Sequence, residues 1–248
     1  AKIPEYKRII RDNSLRTIAS MLYEASQEEI IDAQVDSRFS YNGLVTRSYV
    51  RFANGDSKRF YFKRSHSPMG EALCMALINY IQGNRYKFIV DPNTKVLVTD
   101  EIPGDVLGAI DSWHPYYEMT APSTIRSYAI ALELSNFLGL GDRHLNNVLL
   151  TLDGDVVNID FEPCFCFNTH NVDFFRKPLG HEAIKAVEIS RKQARKDIKQ
   201  TVKRNSLLLA HIIKCAENIE EAINGCHRPM SIGGGRTWRT MNHYLDQA

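Results

Sequence analysis

Two dipeptides constrain this chain more than anything else in it. Asn54-Gly55 and Asp153-Gly154 each lie between short β-rich runs, and such pairs tolerate the positive φ that closes an antiparallel hairpin. The first would join Arg47–Phe52 to Phe60–Lys63, the second Val148–Leu152 to Asp155–Phe161. Around them the apolar period is helical. Leu15, Ile18, Met21, Leu22, Ala25, Ile30 and Ile31 predict helix from Ser14 to about Gln34, with Ser26 and Glu29 as a capping box inside it. Gly70–Ile81, Ser123–Leu138 and the stretch from His181 to about Asn224 read as further helices, and Lys95–Thr99 as a short buried strand running into Ile102-Pro103-Gly104. Strands early and helices late predict an α+β chain of two unequal lobes, β-rich over 1–103 and mainly helical over 104–248.

Composition narrows the class without naming a chemistry. At 248 residues, 44% apolar and 24% charged, the chain is long enough for a substantial core and is neither disordered nor fibrous. Its densest apolar run, Leu207–Ile213, falls well short of the ~20 residues that cross a bilayer. The first residues show no secretory apolar stretch, and the five cysteines form no C-x-x-C pair. Both features point to a reduced, cytoplasmic setting and away from structural zinc. A net charge of +2 gives no case for nucleic acid. Lys185–Arg204, with eight basic and two acidic residues, reads as a solvated helix face; Cys164-Phe165-Cys166 reads as buried packing, and Ser231–Arg236 as a flexible tail.

The informative stretch is Gly139–Phe165. If Asp153-Gly154 is a two-residue turn, Leu152 faces Asp155 and, counting outward, Asn147 faces Asp160. Opposed residues share a face of the ribbon, about 4.5–5.5 Å apart at Cβ. An amide oxygen beside a carboxylate suits a hard cation such as Mg²⁺ that takes its other ligands from phosphate and water. Asp142 and His144 lie just before the first strand, so a candidate base, a proton donor and two metal ligands gather as phosphoryl transfer requires.

Gly141-Asp142-Arg143-His144 with Asn147, followed by Asn158-Ile159-Asp160-Phe161, resembles the catalytic loop and metal-binding motif of the phosphatidylinositol 3-/4-kinase and related protein-kinase family. The resemblance implies a two-lobed, protein-kinase-like fold of the PI3/4-kinase type. It makes Asp142 and His144 the catalytic pair and Asn147 and Asp160 the metal ligands. It further implies ATP with Mg²⁺ (or Mn²⁺) as cofactors. Lys63 would hold ATP phosphates, tied to Glu71 eight residues on; Gly43 would lie in the loop over the phosphates, and the backbone at Glu101 and Ile102 would read adenine. The chain departs from the pattern at Glu162 and Pro163, where the family has a glycine and a small residue.

Pro163–Leu179, in the place of the activation segment, carries only Arg176 and Lys177 as basic residues. A multiply phosphorylated head group would call for more cationic donors. The expected acceptor is therefore protein Ser or Thr, the chain itself included. A phosphatidylinositol kinase is the second reading, and a nucleotide-binding pseudokinase, resting on Glu162, the third.

Overall fold

The computed structural model describes residues 15–41, 45–91, 96–110, 121–166, 181–224, 232 and 235–247. The chain divides into two compact units, Ala1–Glu101 with Glu221–Arg228, and Ile102–Glu220 with Pro229–Ala248.

The first unit is built on an antiparallel sheet in the order β1-β2-β3-β5-β4. Its strands are β1 (Ile30–Tyr41), β2 (Val45–Phe52), β3 (Ser57–Arg64), β4 (Phe88–Asp91) and β5 (Val96–Asp100). Helix α1 (Leu15–Tyr23) covers one face, its Leu15, Ala19 and Leu22 packing on Ile30, Val50, Phe60, Phe62, Val96 and Val98. Helix α2 (Pro68–Gln82) follows β3.

The predicted helix to Gln34 is thus half helix and half strand. Glu24, at φ 51°, closes α1 in the left-handed region, and Ser26 and Glu29 form their capping box around a single 3₁₀ turn, Gln27–Glu29. Beyond it Ile30 and Ile31, which helical spacing had put on one stripe, part company at a register irregularity between Ile30 and Asp32. Ile30 is buried and Ile31 exposed. Ala33 and Val35 then point to the core on alternate residues, a period of two that tertiary pairing imposes on a locally ambiguous sequence.

In the second unit β6 (Gly104–Val106), β7 (Val148–Thr151) and β8 (Val156–Asn158) form a three-stranded sheet. Helix α3 (Pro122–Phe137) packs beside it, and α4 (His181–Arg204), α5 (Ser206–Asn224) and α6 (Arg236–Leu245) follow. The predicted helix over His181–Asn224 is two helices meeting at Asn205, whose side-chain amide donates to the Thr201 carbonyl at 2.8 Å. Where a flexible tail was expected, Arg236 opens α6, whose Thr237, Thr240, Met241 and Tyr244 are buried. Glu133 of α3, fully buried, ties three helices: Arg191 Nε lies 2.9 Å from it, Arg195 Nε 3.2 Å and the Tyr244 hydroxyl 2.7 Å.

Candidate active site

In the first unit, alternation along β3 sends Phe60 and Phe62 under α1 and puts Tyr61 and Lys63 on the opposite face. After β3, Pro68 opens α2 at a position where a missing N–H costs nothing. Glu71 consequently sits in the first helical turn, where the helix dipole favours a carboxylate. Its Oε1 lies 2.9 Å from Lys63 Nζ, with side-chain exposures of 2% for the glutamate and 20% for the lysine. The spacing of eight therefore produces a close, largely buried ion pair. At the end of β5 the half-buried Glu101 accepts a 2.5 Å hydrogen bond from the Tyr61 hydroxyl. Ile102, also half-buried, follows as the first residue of the second unit. Gly43 lies outside the described residues.

In the second unit the polypeptide leaves α3 through Gly139, at φ 57°, where a Cβ would come within 2.7 Å of the Cys166 carbonyl oxygen. Residues 138–141 then run beside 163–166, joined by Phe165 N to Leu138 O, Cys166 N to Gly139 O and Gly141 N to Pro163 O at 2.8–2.9 Å. Asp142 is exposed, in the left-handed region at φ 48°. His144 is exposed too; its Nδ1 accepts from Asn146 N at 3.2 Å, and its Nε2 lies 3.1 Å from Asn147 Nδ2. Asn147, 5% exposed, donates through Nδ2 to Asp142 O at 2.7 Å, which leaves its amide oxygen as the group able to ligate a cation.

The structure corrects the hairpin register. Val148 pairs with Asn158 and Leu150 with Val156. Thr151 N then bonds Asp155 O and Gly154 N bonds Thr151 O, so three residues, Leu152-Asp153-Gly154, close the turn with Gly154 at φ 83°. Asn147 accordingly stands opposite Ile159, whose N–H reaches the Asn147 carbonyl at 3.0 Å, and not opposite Asp160. The first hairpin shows the same one-residue shift. Phe52 N bonds Asp56 O, Gly55 N bonds Phe52 O, and Gly55 sits at φ 93°. Both Asx-Gly pairs form the three-residue loop with glycine at its left-handed position, not the two-residue turn.

Asp142 is tied to Asn147 through its own carbonyl and Asn147 to Ile159 by strand pairing; what joins these to Asp160 is Arg143. Its side chain is buried, at 5% exposure, and donates to the carbonyls of Gly141 (3.3 Å), Asn147 (3.2 Å), Ile159 (3.0 Å) and Asp160. Asp160 itself is exposed at φ 56°, one residue beyond the paired end of the ribbon. An amide oxygen and a carboxylate suit a hard divalent ion that completes its shell with phosphate and water. Among the described residues there is no group of three or more His, Cys, Asp or Glu able to hold a metal unaided.

Sequence reading missed two supports of this loop. The first is Arg143. The second is a stripe on α3, a helix that reads as apolar nearly all round. Thr124 Oγ1 donates to Gly154 O (2.6 Å), Ser127 Oγ accepts from Val156 N (2.8 Å), and Ser135 Oγ donates to Asn158 Oδ1 (3.0 Å). The Asn158 amide in turn donates to Ala131 O at 2.9 Å. The spacing 124, 127, 131, 135 is one helical face turned to Gly154, Val156 and Asn158, and its Thr124, Ser127 and Ser135 were visible as small polar residues at that spacing. Beyond the ribbon, Arg236 Nε and Thr240 Oγ1 of α6 both donate to Phe165 O, at 3.1 and 3.2 Å. Burial pushes the Cys166 thiol pKa up, in keeping with packing as the role of Cys164 and Cys166.

A small sheet-rich N-terminal part and a helical C-terminal part, with an Asp-Arg-His loop and an acidic residue after the following hairpin, define a kinase-like α+β fold. Residues 117–202, about a third of the chain, match the family described as phosphatidylinositol 3- and 4-kinase. Forty-two residues, 16% of the chain, are 50% identical to serine/threonine-protein kinase MEC1 of Eremothecium gossypii and span 2% of that much longer protein. The family match contains Asp142, His144, Asn147 and Asp160; Lys63, Glu71, Glu101 and Ile102 lie outside it.

Proposed function

We propose that the chain is an ATP- and Mg²⁺-dependent kinase that transfers the γ-phosphoryl group to a hydroxyl, protein Ser or Thr in preference to lipid. The observation that carries this reading is the Arg143 knot, which holds the Asn147 and Asp160 backbones together while Asn147 Nδ2 holds Asp142, all within the family-matched residues. Asp142, exposed on a left-handed residue, would accept the proton of the attacking hydroxyl. His144, half committed to capping its own turn, would orient the transferring group. Lys63, held by Glu71, would bind phosphate oxygens as a fixed point charge. Asn147 Oδ1 and the Asp160 carboxylate would hold the divalent ion, whose contribution when bound would be to neutralise phosphate charge.

The MEC1 likeness favours a protein acceptor, while the sparse basic residues after Asp160 weigh against a multiply phosphorylated head group and fit protein or unphosphorylated phosphatidylinositol alike. The family description keeps phosphatidylinositol as the second arm of the test. Radiolabelled ATP is offered with the chain alone, with generic Ser/Thr protein substrates and with phosphatidylinositol vesicles, beside Asp160→Ala. Label in the protein arms that disappears in Asp160→Ala is expected. Label only in lipid overturns the acceptor, and label that survives the substitution overturns the site.

A further inference from the structure

We infer that Tyr61 and Tyr23 are positioning residues for nucleobase recognition, holding from opposite faces of the sheet the two successive carboxylates at the exit of β5. This rests on the kinase reading above, in which the backbone at Glu101 and Ile102 reads the base. Asp100 pairs with Phe60 across the sheet and therefore shares the face covered by α1; Glu101, one residue on, turns to the face of Tyr61 and Lys63. On the α1 face the Tyr23 hydroxyl lies 2.8 Å from Asp100 Oδ1 and 3.2 Å from the Arg59 carbonyl. Its ring meets Phe52 and Phe60 edge-on, and Lys58 Nζ lies 5.0 Å from its centre. On the other face Tyr61 hydrogen-bonds Glu101 at 2.5 Å.

The direction of that second bond is determined by chemistry. Arg47, held to Asp36 at 2.6 Å, also hydrogen-bonds the Tyr61 oxygen. A guanidinium can only donate, so the phenol must give its one proton to Glu101. A chain Asp36–Arg47–Tyr61–Glu101 thus crosses the sheet and ends on the residue whose backbone faces the base. The main chain is held at the same place, Glu101 N by Arg59 O (3.0 Å) and Asp100 N by Lys87 O (2.9 Å). Backbone groups held this way need no further ordering when a base arrives, and ordering avoided appears as affinity.

Lys63 shares a strand face with Tyr61 but is held by Glu71 and not by Glu101, so loosening the tether is expected to weaken binding of the base and leave that of the phosphates. Tyr61→Phe and Tyr23→Phe in the full chain are titrated with Mg²⁺-ATP and with Mg²⁺-tripolyphosphate, which carries the phosphates and no base. The expected result is a roughly five- to tenfold weaker ATP affinity in Tyr61→Phe and about threefold in Tyr23→Phe, with tripolyphosphate affinity unchanged in both. Equal losses for the two ligands, the signature of a merely structural role, or no loss in either variant overturn the inference. Wild-type protein that binds neither ligand overturns the kinase reading itself, an outcome distinct from wild-type binding that the tyrosine substitutions leave unaltered.

Discussion

Lys63 and Arg143 each carry a positive charge out of water, and the two regions compensate it by different means. Lys63 meets one carboxylate, Glu71, at the junction of a strand with the helix that follows it. Arg143 fans its guanidinium over four main-chain carbonyls, Gly141, Asn147, Ile159 and Asp160. The lysine pair is an electrostatic bond between two side chains and leaves the backbone around it to its own ladder. The arginine fan continues where the ladder stops, because β8 ends at Asn158 and Asp142 and Asp160 lie beyond the strands in the left-handed region. One cation is positioned by the fold; the other positions it.

The largest effect that would break this contrast is at Arg143. Arg143→Ala removes a buried guanidinium from four main-chain carbonyls, of which Asn147 O keeps the Ile159 N–H as a donor, and is expected to cost about 3–5 kcal/mol in urea unfolding. Arg143→Lys should recover less than half of that, since one ammonium cannot reproduce the planar fork. Full recovery by lysine would mean that charge alone matters, and the two regions would no longer differ.

At the ion pair the expected costs are smaller and unequal. Glu71 is the buried partner, at 2%, while Lys63 at 20% retains a route to water. Lys63→Met therefore strands a carboxylate and should cost about 2–4 kcal/mol, whereas Glu71→Gln should cost about 1 kcal/mol. Equal losses in thermal or urea unfolding would show that the lysine is as desolvated as its partner.

The same contrast governs what could be read from the sequence. The lysine–glutamate pair was expected through the family resemblance, and the strand–turn–helix order brings the two side chains into contact. The helix α2, the strand β5 and the existence, though not the register, of both hairpins were legible through period and turn residues. Arg143's partners were not, since every residue owns a carbonyl and no residue type marks those that will need a donor. Nor was β1, whose Ile30 and Ile31 fit a helical stripe until pairing with β2 separated them. Strands β4 and β6, of four and three residues, are too short for any period to declare itself.

The smallest effect, and the sharpest on register, concerns Gly55 and Gly154. They close hairpins in different units with the same hydrogen-bond pattern, at φ 93° and 83°. An alanine at either must adopt the left-handed region, at about 1 kcal/mol. Around Gly55 a Cβ would meet nothing within 4 Å; at Gly154 it would stand 3.4 Å from the Oγ1 of Thr124, the group that bonds the Gly154 carbonyl. Gly55→Ala should therefore show the backbone cost alone, and Gly154→Ala the same cost plus a few tenths of a kcal/mol, read as urea midpoints. The informative result is the second one combined with activity. Because a three-residue loop sets which residue faces Asn147, a relaxed Gly154 turn would slip the ribbon and displace Asp160 with it. Phosphoryl transfer in Gly154→Ala should then fall further than stability predicts, while in Gly55→Ala it should follow stability alone. If both variants lose activity only in proportion to stability, the turn after β7 serves the fold and not the site, and Arg143 alone suffices to hold Asp160.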